Sequence, residues 1–348
     1  MSSLFKKVVQ FLFFLALGIG IMYWVYLQQN ESYLAYCNEN KIPEAECNLL
    51  EKLWRDLLSI NIYYTILIFI AFFLSNYFRS LRWRMMLKSI GYEVRGINSL
   101  ASILVGYLAN LGLPRSGEFI RPALLSRYEK VPITVSVGTV ALDRLVDLLS
   151  MSLIMLFTIL SQMDTFVRLY DEHLSGVPLI QQLILPVCGF IFLTLCFLTR
   201  KIWRDWPIVV KFKNKIRGFL DGLLSIRKVE NKASFLFYTL MIWVWFFVMM
   251  YAALQSFSAT ANLSLSAALV IYVFGSLGML VPTPGGVGSY HFLVILALGY
   301  FGIAQGDAFS FANISFFSAQ FANNIVLGIS AIIIMYFYNK KHPVQRIQ

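Results

Sequence analysis

Three charged side chains, Arg115, Glu118 and Arg121, stand at intervals of three in the stretch GYLANLGLPRSGEFIRP, residues 106–122. The runs on either side are apolar and read as membrane-crossing helices. If the segment after the break at Pro114 is helical, the spacing puts all three charges on one face. Arginine forks match phosphate oxygens two at a time. The N–H groups that open a helix favour the same anion. Glu118 would steady an arginine or accept a headgroup amine. The chemistry indicated is binding of a phosphate headgroup. The plainer alternative is a cytoplasmic loop with ordinary basic residues. Prolines, glycines and charges coincide at this break, and ionisable groups at membrane depth are costly, which favours a site.

A second constellation is DRLVD, Asp143 to Asp147. Asp143 and Asp147 are four apart and share a helical face; Arg144 is turned about 100° away. Asp143 lies about 16 Å of helix beyond Pro132, near mid-bilayer for a span starting there. Carboxylates at that depth need partners, and Arg115, Arg121 and Arg144 are the candidates. A headgroup site and an internal salt bridge that only joins helices both remain open.

A third is PTPGGVGSYH, residues 282–291. Pro284, Gly285, Gly286 and Gly288 break a helix and bare its backbone groups. Ser289, Tyr290 and His291 follow. No G-x-x-x-x-G-K-[ST] loop is present, so a nucleotide site is not indicated. His291 reads as a proton carrier or as a histidine hydrogen-bonded inside the bundle. Gln320, Asn323 and Asn324 lie in the last apolar span; Gln320 and Asn323 share a face and would bond a headgroup or a neighbouring helix. His173, His291 and His342 have no metal-ligand spacing, and no Ser/His/Asp set emerges. The expectation is a protein that is not an enzyme and carries no cofactor. Cys37 and Cys47 share a polar loop, where a disulfide is expected if the loop faces an oxidising compartment. Cys188 and Cys196 read as buried apolar residues.

The elements that must position these residues follow from composition. The chain has 348 residues, is 58% hydrophobic and only 14% charged, with mean hydropathy +0.68. Several apolar runs reach the roughly 20 residues a bilayer requires. A soluble globular protein is excluded, and the net charge of +11 is a matter of membrane orientation rather than nucleic acid. Spans are expected at about 8–27, 59–78, 132–162, 179–199, 233–257 and 310–338, with interrupted stretches at 97–126 and 265–301. Residues 8–27 read as a retained first helix rather than a cleaved signal. Residues 28–58 form an acidic loop and 79–95 a basic one. Placing the N-terminus, 79–95, 127–130, 200–232 and the tail on one side gathers 22 of the 29 Lys/Arg there and leaves four on the other. By the positive-inside rule both termini are cytoplasmic in a multi-pass inner-membrane protein.

Each interrupted stretch then starts and ends on one side, 97–126 from inside and 265–301 from outside. The fold expected is all-α: a polytopic helical bundle with two re-entrant or broken hairpins in an inverted repeat, the site lying where they meet. One transmembrane domain covers 1–348. Residues 1–58 are its first span and external loop, 59–338 the core, and 200–232 a cytoplasmic basic amphipathic segment held by anionic inner-leaflet lipids. Residues 79–88, with Trp83, are expected to lie on the same leaflet.

GLPRSGEFIRP, DRLVDLLS and VPTPGGVGSYH, in this order, resemble the flippase-like family named for the transmembrane region of lysylphosphatidylglycerol synthase, the multiple peptide resistance factor. The likeness covers about 59–338. Arg115, Gly117, Glu118 and Arg121 match its Arg-Gly-Glu-like core. Arg144 and Asp147 match a Glu-Arg-x-x-Asp-like motif in which Asp143 replaces the usual glutamate. Pro284, Gly285, Gly286 and Gly288 match its Pro-Gly-Gly-Val-Gly segment. The resemblance implies a lipid-translocating or lipid-binding protein. A soluble aminoacyl-transfer domain follows in two-domain members; here ten residues follow the last span, so that activity is not expected. The substrate expected is an aminoacyl-phosphatidylglycerol or a polyprenyl-phosphate carrier. Rival readings are a membrane enzyme acting on lipid phosphates and a non-transporting partner of a lipid synthase or glycosyltransferase. A homo-oligomer is left open.

Overall fold

The computed structural model describes residues 47–112, 115–163, 225–280, 286 and 288–342, with isolated positions between 23 and 43. Most of the expected span at 8–27, the span at 179–199, most of the basic segment 200–232, and Pro284, Gly285, Cys188, Cys196 and His173 lie outside the described residues. Every regular element among the described residues is helical. They are α1 Leu49–Leu58, α2 Ile62–Lys88, α3 Gly96–Gly112, α4 Gly117–Glu129, α5 Ile133–Ser161, α6 Lys232–Ser256, α7 Leu265–Leu280, α8 Ser289–Tyr300, α9 Gln305–Phe316 and α10 Asn323–Lys341. A π-helical turn, Phe317–Ala322, joins α9 to α10 in one continuous rod.

Among the described residues, four helices are long and apolar enough to cross a membrane: α2, α5, α6 and the composite Gln305–Lys341. Their outward faces are apolar. Leu148, Leu149, Leu153 and Leu156 of α5 and Ile329, Ile332 and Ile333 of α10 are exposed, a surface suited to lipid and not to water. The protein is a polytopic all-α membrane protein.

Local sequence fixes several ends. Asn48, Asn61 and Asn231 cap α1, α2 and α6, each accepting backbone N–H bonds in the first turn. Lys130 closes α4 in the left-handed conformation. α1 lies within 28–58, a region expected to be loop. α2 runs ten residues past the expected end at 78, because Arg79 to Lys88 are good helix formers with partners inside the bundle. Residues 79–88 do not form a separate surface segment: they continue α2, with Trp83 fully buried. α2 packs along α6, where Ser75 Oγ donates to the Ile242 carbonyl at 3.1 Å.

The two interrupted stretches are each a pair of short helices pressed together. In α3–α4 a Cβ on Gly117 would sit 2.2 Å from the Gly106 carbonyl oxygen. In α7–α8 a Cβ on Gly278 would sit 2.6 Å from Tyr290 Cα. A serine fastens each pair: Ser116 Oγ donates to the Ala109 carbonyl at 2.8 Å, and Ser289 Oγ to the Gly278 carbonyl at 2.7 Å. α3 also packs along α10, with Gly328 admitting Leu108.

On the opposite side from the end of α2, Cys37 and Cys47 form a disulfide with Cα atoms 6.2 Å apart. Lys52 of α1 bridges Asp56 at 3.0 Å and Asp307 of α9 at 2.6 Å.

Candidate functional site

Five ionisable side chains meet in the bundle interior. On α5 a polar stripe, Ser136, Thr139, Asp143 and Asp147, recurs at helical spacing and is buried. On α2 a matching stripe, Ser75, Asn76, Arg79 and Arg82, is equally buried. The two stripes face each other. Arg79 Nη1 bonds Asp143 Oδ2 at 3.3 Å and pairs more closely with Asp147 Oδ2. Arg82 Nη2 reaches Asp143 Oδ1 and Asp147 Oδ1, each at 2.6 Å. Arg121 of α4 completes the group, its Nη1 2.9 Å from Asp143 Oδ2.

These groups are 0–8% exposed. Burial of charge at that level is tolerated only when the charges are paired and hydrogen-bonded. Pairing here is incomplete in one direction. Three guanidinium groups face two carboxylates, leaving one positive charge over. The surplus shows as unused donors: Arg79 Nε, Arg121 Nε and Arg121 Nη2 are buried without a hydrogen-bond partner. The Arg121 guanidinium lies 4.0 Å over the Trp83 ring, whose Nε1 donates to Thr139 Oγ1 at 2.9 Å. That aromatic face supports a cation without taking up its in-plane donors. Tyr272 of α7 is also buried, its hydroxyl without a hydrogen-bond partner. At the rim, Arg144 Nε lies 3.5 Å from Glu118 Oε1, both about two-fifths exposed, and Arg144 Nη1 lies 3.8 Å from Asp147.

The structure therefore distributes the sequence candidates differently from the expectation. Arg115, Glu118 and Arg121 do not form one face. α4 begins only at Gly117, and Arg115 sits before it in the left-handed conformation (φ 59°), exposed. Glu118 is at the rim and Arg121 in the interior. Asp143 pairs with Arg121 as expected, and Asp147 meets Arg144 only distantly. Their main partners, Arg79 and Arg82, come from a segment read as a basic loop. Asp143 reaches three arginines despite being shorter than glutamate.

The polar residues of the second break bond within their own neighbourhood. Tyr290 Oη lies 3.0 Å from Ser315 Oγ, tying α8 to α9. His291 is fully buried against Phe316, its Nδ1 accepting from the Gly288 N–H at 3.4 Å and its Nε2 without a partner. Gly286 and Gly288 take positive φ, and a Cβ on Gly286 would meet Met279 Sδ at 2.3 Å. Asn323 Nδ2 donates to the Ser318 carbonyl, and Asn324 Nδ2 to Gln320 Oε1 at 3.4 Å. Those bonds hold the π-helical turn, a distortion common at functional places in helices.

Comparison with known proteins adds the following. A family model described as the lysylphosphatidylglycerol synthase TM region matches residues 49–328. A UPF0104 membrane protein of Methanocaldococcus jannaschii is 25% identical over 286 residues, an alignment that covers 74% of this chain and 81% of the archaeal protein. No solved structure matches the chain.

Proposed function

Since this chain belongs to the family of the lysylphosphatidylglycerol synthase TM region, we propose that it is a flippase-like transporter that moves an anionic or lipid-linked headgroup across the inner membrane. The headgroup would be that of an aminoacyl-phosphatidylglycerol or a polyprenyl-phosphate carrier. The observation that carries the reading is the uncompensated positive charge of the Arg79–Arg82–Arg121–Asp143–Asp147 group, with its three unpartnered guanidinium nitrogens. A lipid phosphate would supply the missing anion and accept those donors. Arg121 is the residue best placed to bind it. Its single ion pair leaves most of its fork free, whereas Arg82 spans both acids. Glu118 and Arg144, at the rim, would meet the headgroup before it enters.

The two serine-fastened pairs, α3–α4 and α7–α8, would act as the halves of an inverted repeat and open the site to alternate leaflets. Orientation is proposed from charge. Taking the buried Arg79 and Arg82 out of the earlier tally (22 − 2) leaves 20 Lys/Arg on the cytoplasmic side against four opposite. Both termini are then cytoplasmic.

The test is headgroup movement in proteoliposomes, followed by quenching of fluorescently tagged phosphatidylglycerol in the outer leaflet. Arg121→Gln is expected to slow movement about tenfold, the loss of one charge-assisted phosphate contact, with thermal stability close to wild type. Equal rates for the two proteins would remove Arg121 from the transport path.

A further inference from the structure

α2 carries basic residues on two faces. Arg79 and Arg82 meet the aspartates. Arg84 follows Arg82 by two residues, so it is turned about 200° away. It lines a separate cleft of about 600 Å³ beside the last turns of α2. Leu81, Arg84, Met85 and Lys88 repeat at helical spacing and form one wall of it, and Tyr238 of α6 closes the other side. The wall is apolar on one side, at Leu81 and Met85, and basic toward the helix end. That gradient lies where a candidate membrane span finishes, the level at which lipid headgroups sit.

The positive charges of the cleft are not all spent. Lys88 meets Glu93 at 3.2 Å, but both are more than two-thirds exposed, so the pair is weak. Arg84 is half-buried and forms no ion pair among the described residues. Its Nε donates to the Val94 carbonyl at 3.1 Å, which fixes the guanidinium in place. Bare Gly96 lies beneath Nη1, where a Cβ would come within 3.2 Å.

We propose that this cleft is a second lipid site, which holds the headgroup phosphate of an anionic phospholipid on Arg84 while an acyl chain runs along Leu81, Met85 and Tyr238. In the orientation given above, the lipid belongs to the inner leaflet. The site is a fixed lipid seat and is independent of headgroup movement through the bundle.

Full-length protein in nanodiscs of mixed phosphatidylglycerol and phosphatidylcholine, released for native mass spectrometry, tests this. The wild type is expected to retain phosphatidylglycerol about tenfold over phosphatidylcholine, the worth of one charge-assisted contact. Arg84→Ala should abolish most of that preference, Arg84→Lys should leave an intermediate one, and Lys88→Gln should weaken it. Lys88 is exposed, so its variant decides the matter if Arg84→Ala fails to fold. Wild-type retention in both Arg84→Ala and Lys88→Gln would overturn the proposal. So would stripping of the lipid by excess inorganic phosphate, which would mark a free-phosphate site. The readout is retention and not movement, so failure of the transport reading leaves it intact.

Discussion

Arg82 meets Asp143 through two nitrogens on one carboxylate oxygen, Nε at 3.1 Å and Nη2 at 2.6 Å. The same Nη2 reaches Asp147 at 2.6 Å. One guanidinium thus clamps two acids a single helical turn apart, and α2 is fixed to α5 at that level. Asp143 is the hub: Arg79, Arg82 and Arg121 all bond it, from two different helices.

Replacing the hub should therefore cost more than replacing its neighbour. Asp143→Asn leaves three buried guanidinium groups on one carboxylate. The expected loss is about 3–5 kcal/mol, the range for removing one partner of a buried ion pair. Asp147→Asn should cost less, because Asp147 is 8% exposed where Asp143 is fully buried. Thermal unfolding of both variants in detergent checks the order, and the reverse order would contradict the role given to Asp143.

The close approach of α3 and α4 makes a second prediction. Gly117→Ala drives a Cβ into the Gly106 carbonyl, backbone that cannot swing aside. A loss of about 1–3 kcal/mol or more is expected from the forced separation. Gly299→Ala is the control: nothing lies within 4 Å of its added Cβ, and alanine in that helix should be neutral or stabilise by about 0.5–1 kcal/mol. Similar melting shifts for the two would refute the contact.

The charged clasp between α1 and α9 responds to pH. Burial disfavours the Lys52 ammonium, but hydrogen bonds and charge from Asp307 and Asp56 outweigh it and raise its pKa above the ordinary lysine value of 10.5. A group with a raised folded pKa stabilises fully below its unfolded pKa and loses that contribution as pH rises through the folded value. The clasp should hold unchanged from neutral pH to about 10 and loosen above that. Asp307→Asn should bring the loosening to lower pH. Protease cutting near residue 47 across this range reports it, and a flat profile in the wild type would remove the clasp from the account.

How much of this was legible beforehand differs by residue. Asp143 and Asp147 stood out because acids inside a long apolar run have no loop to belong to. Both interrupted stretches were visible as Gly/Pro breaks, and α7–α8 breaks at the expected place. Arg79 and Arg82 were hidden, since basic residues after an apolar span look like its cytoplasmic flank. A signal existed in the polar stripe Ser75, Asn76, Arg79, Arg82, which keeps helical spacing across the supposed boundary. Arg115 was misplaced for a local reason: a face argument requires the helix to have started, and α4 starts two residues later. The cleft at Arg84 depends on contacts between α2, α6 and residues 93–95, which spacing along one segment does not reveal.

A fourth prediction concerns the base of α3–α4. Glu129, its side chain 5% exposed, accepts from Arg95 Nε at 2.7 Å and from Asn98, while Arg95 and Asn98 also bond Asn339 of α10. Glu129→Gln should cost about 1.5–3 kcal/mol, the range for a hydrogen bond to a charged group. Unaltered unfolding would mean the network contributes nothing.

That network, with the Gly106–Gly117 contact and the seat of Leu108 on Gly328, has a mechanical consequence. α3–α4 is bolted to α10 at one end, zipped along its middle and braced on its flank. A piece held at three points would resist bending along its length and move as one body. Arg121 rides on it, so a shift in the grip of Asp143 on that one side chain would be delivered whole to α10.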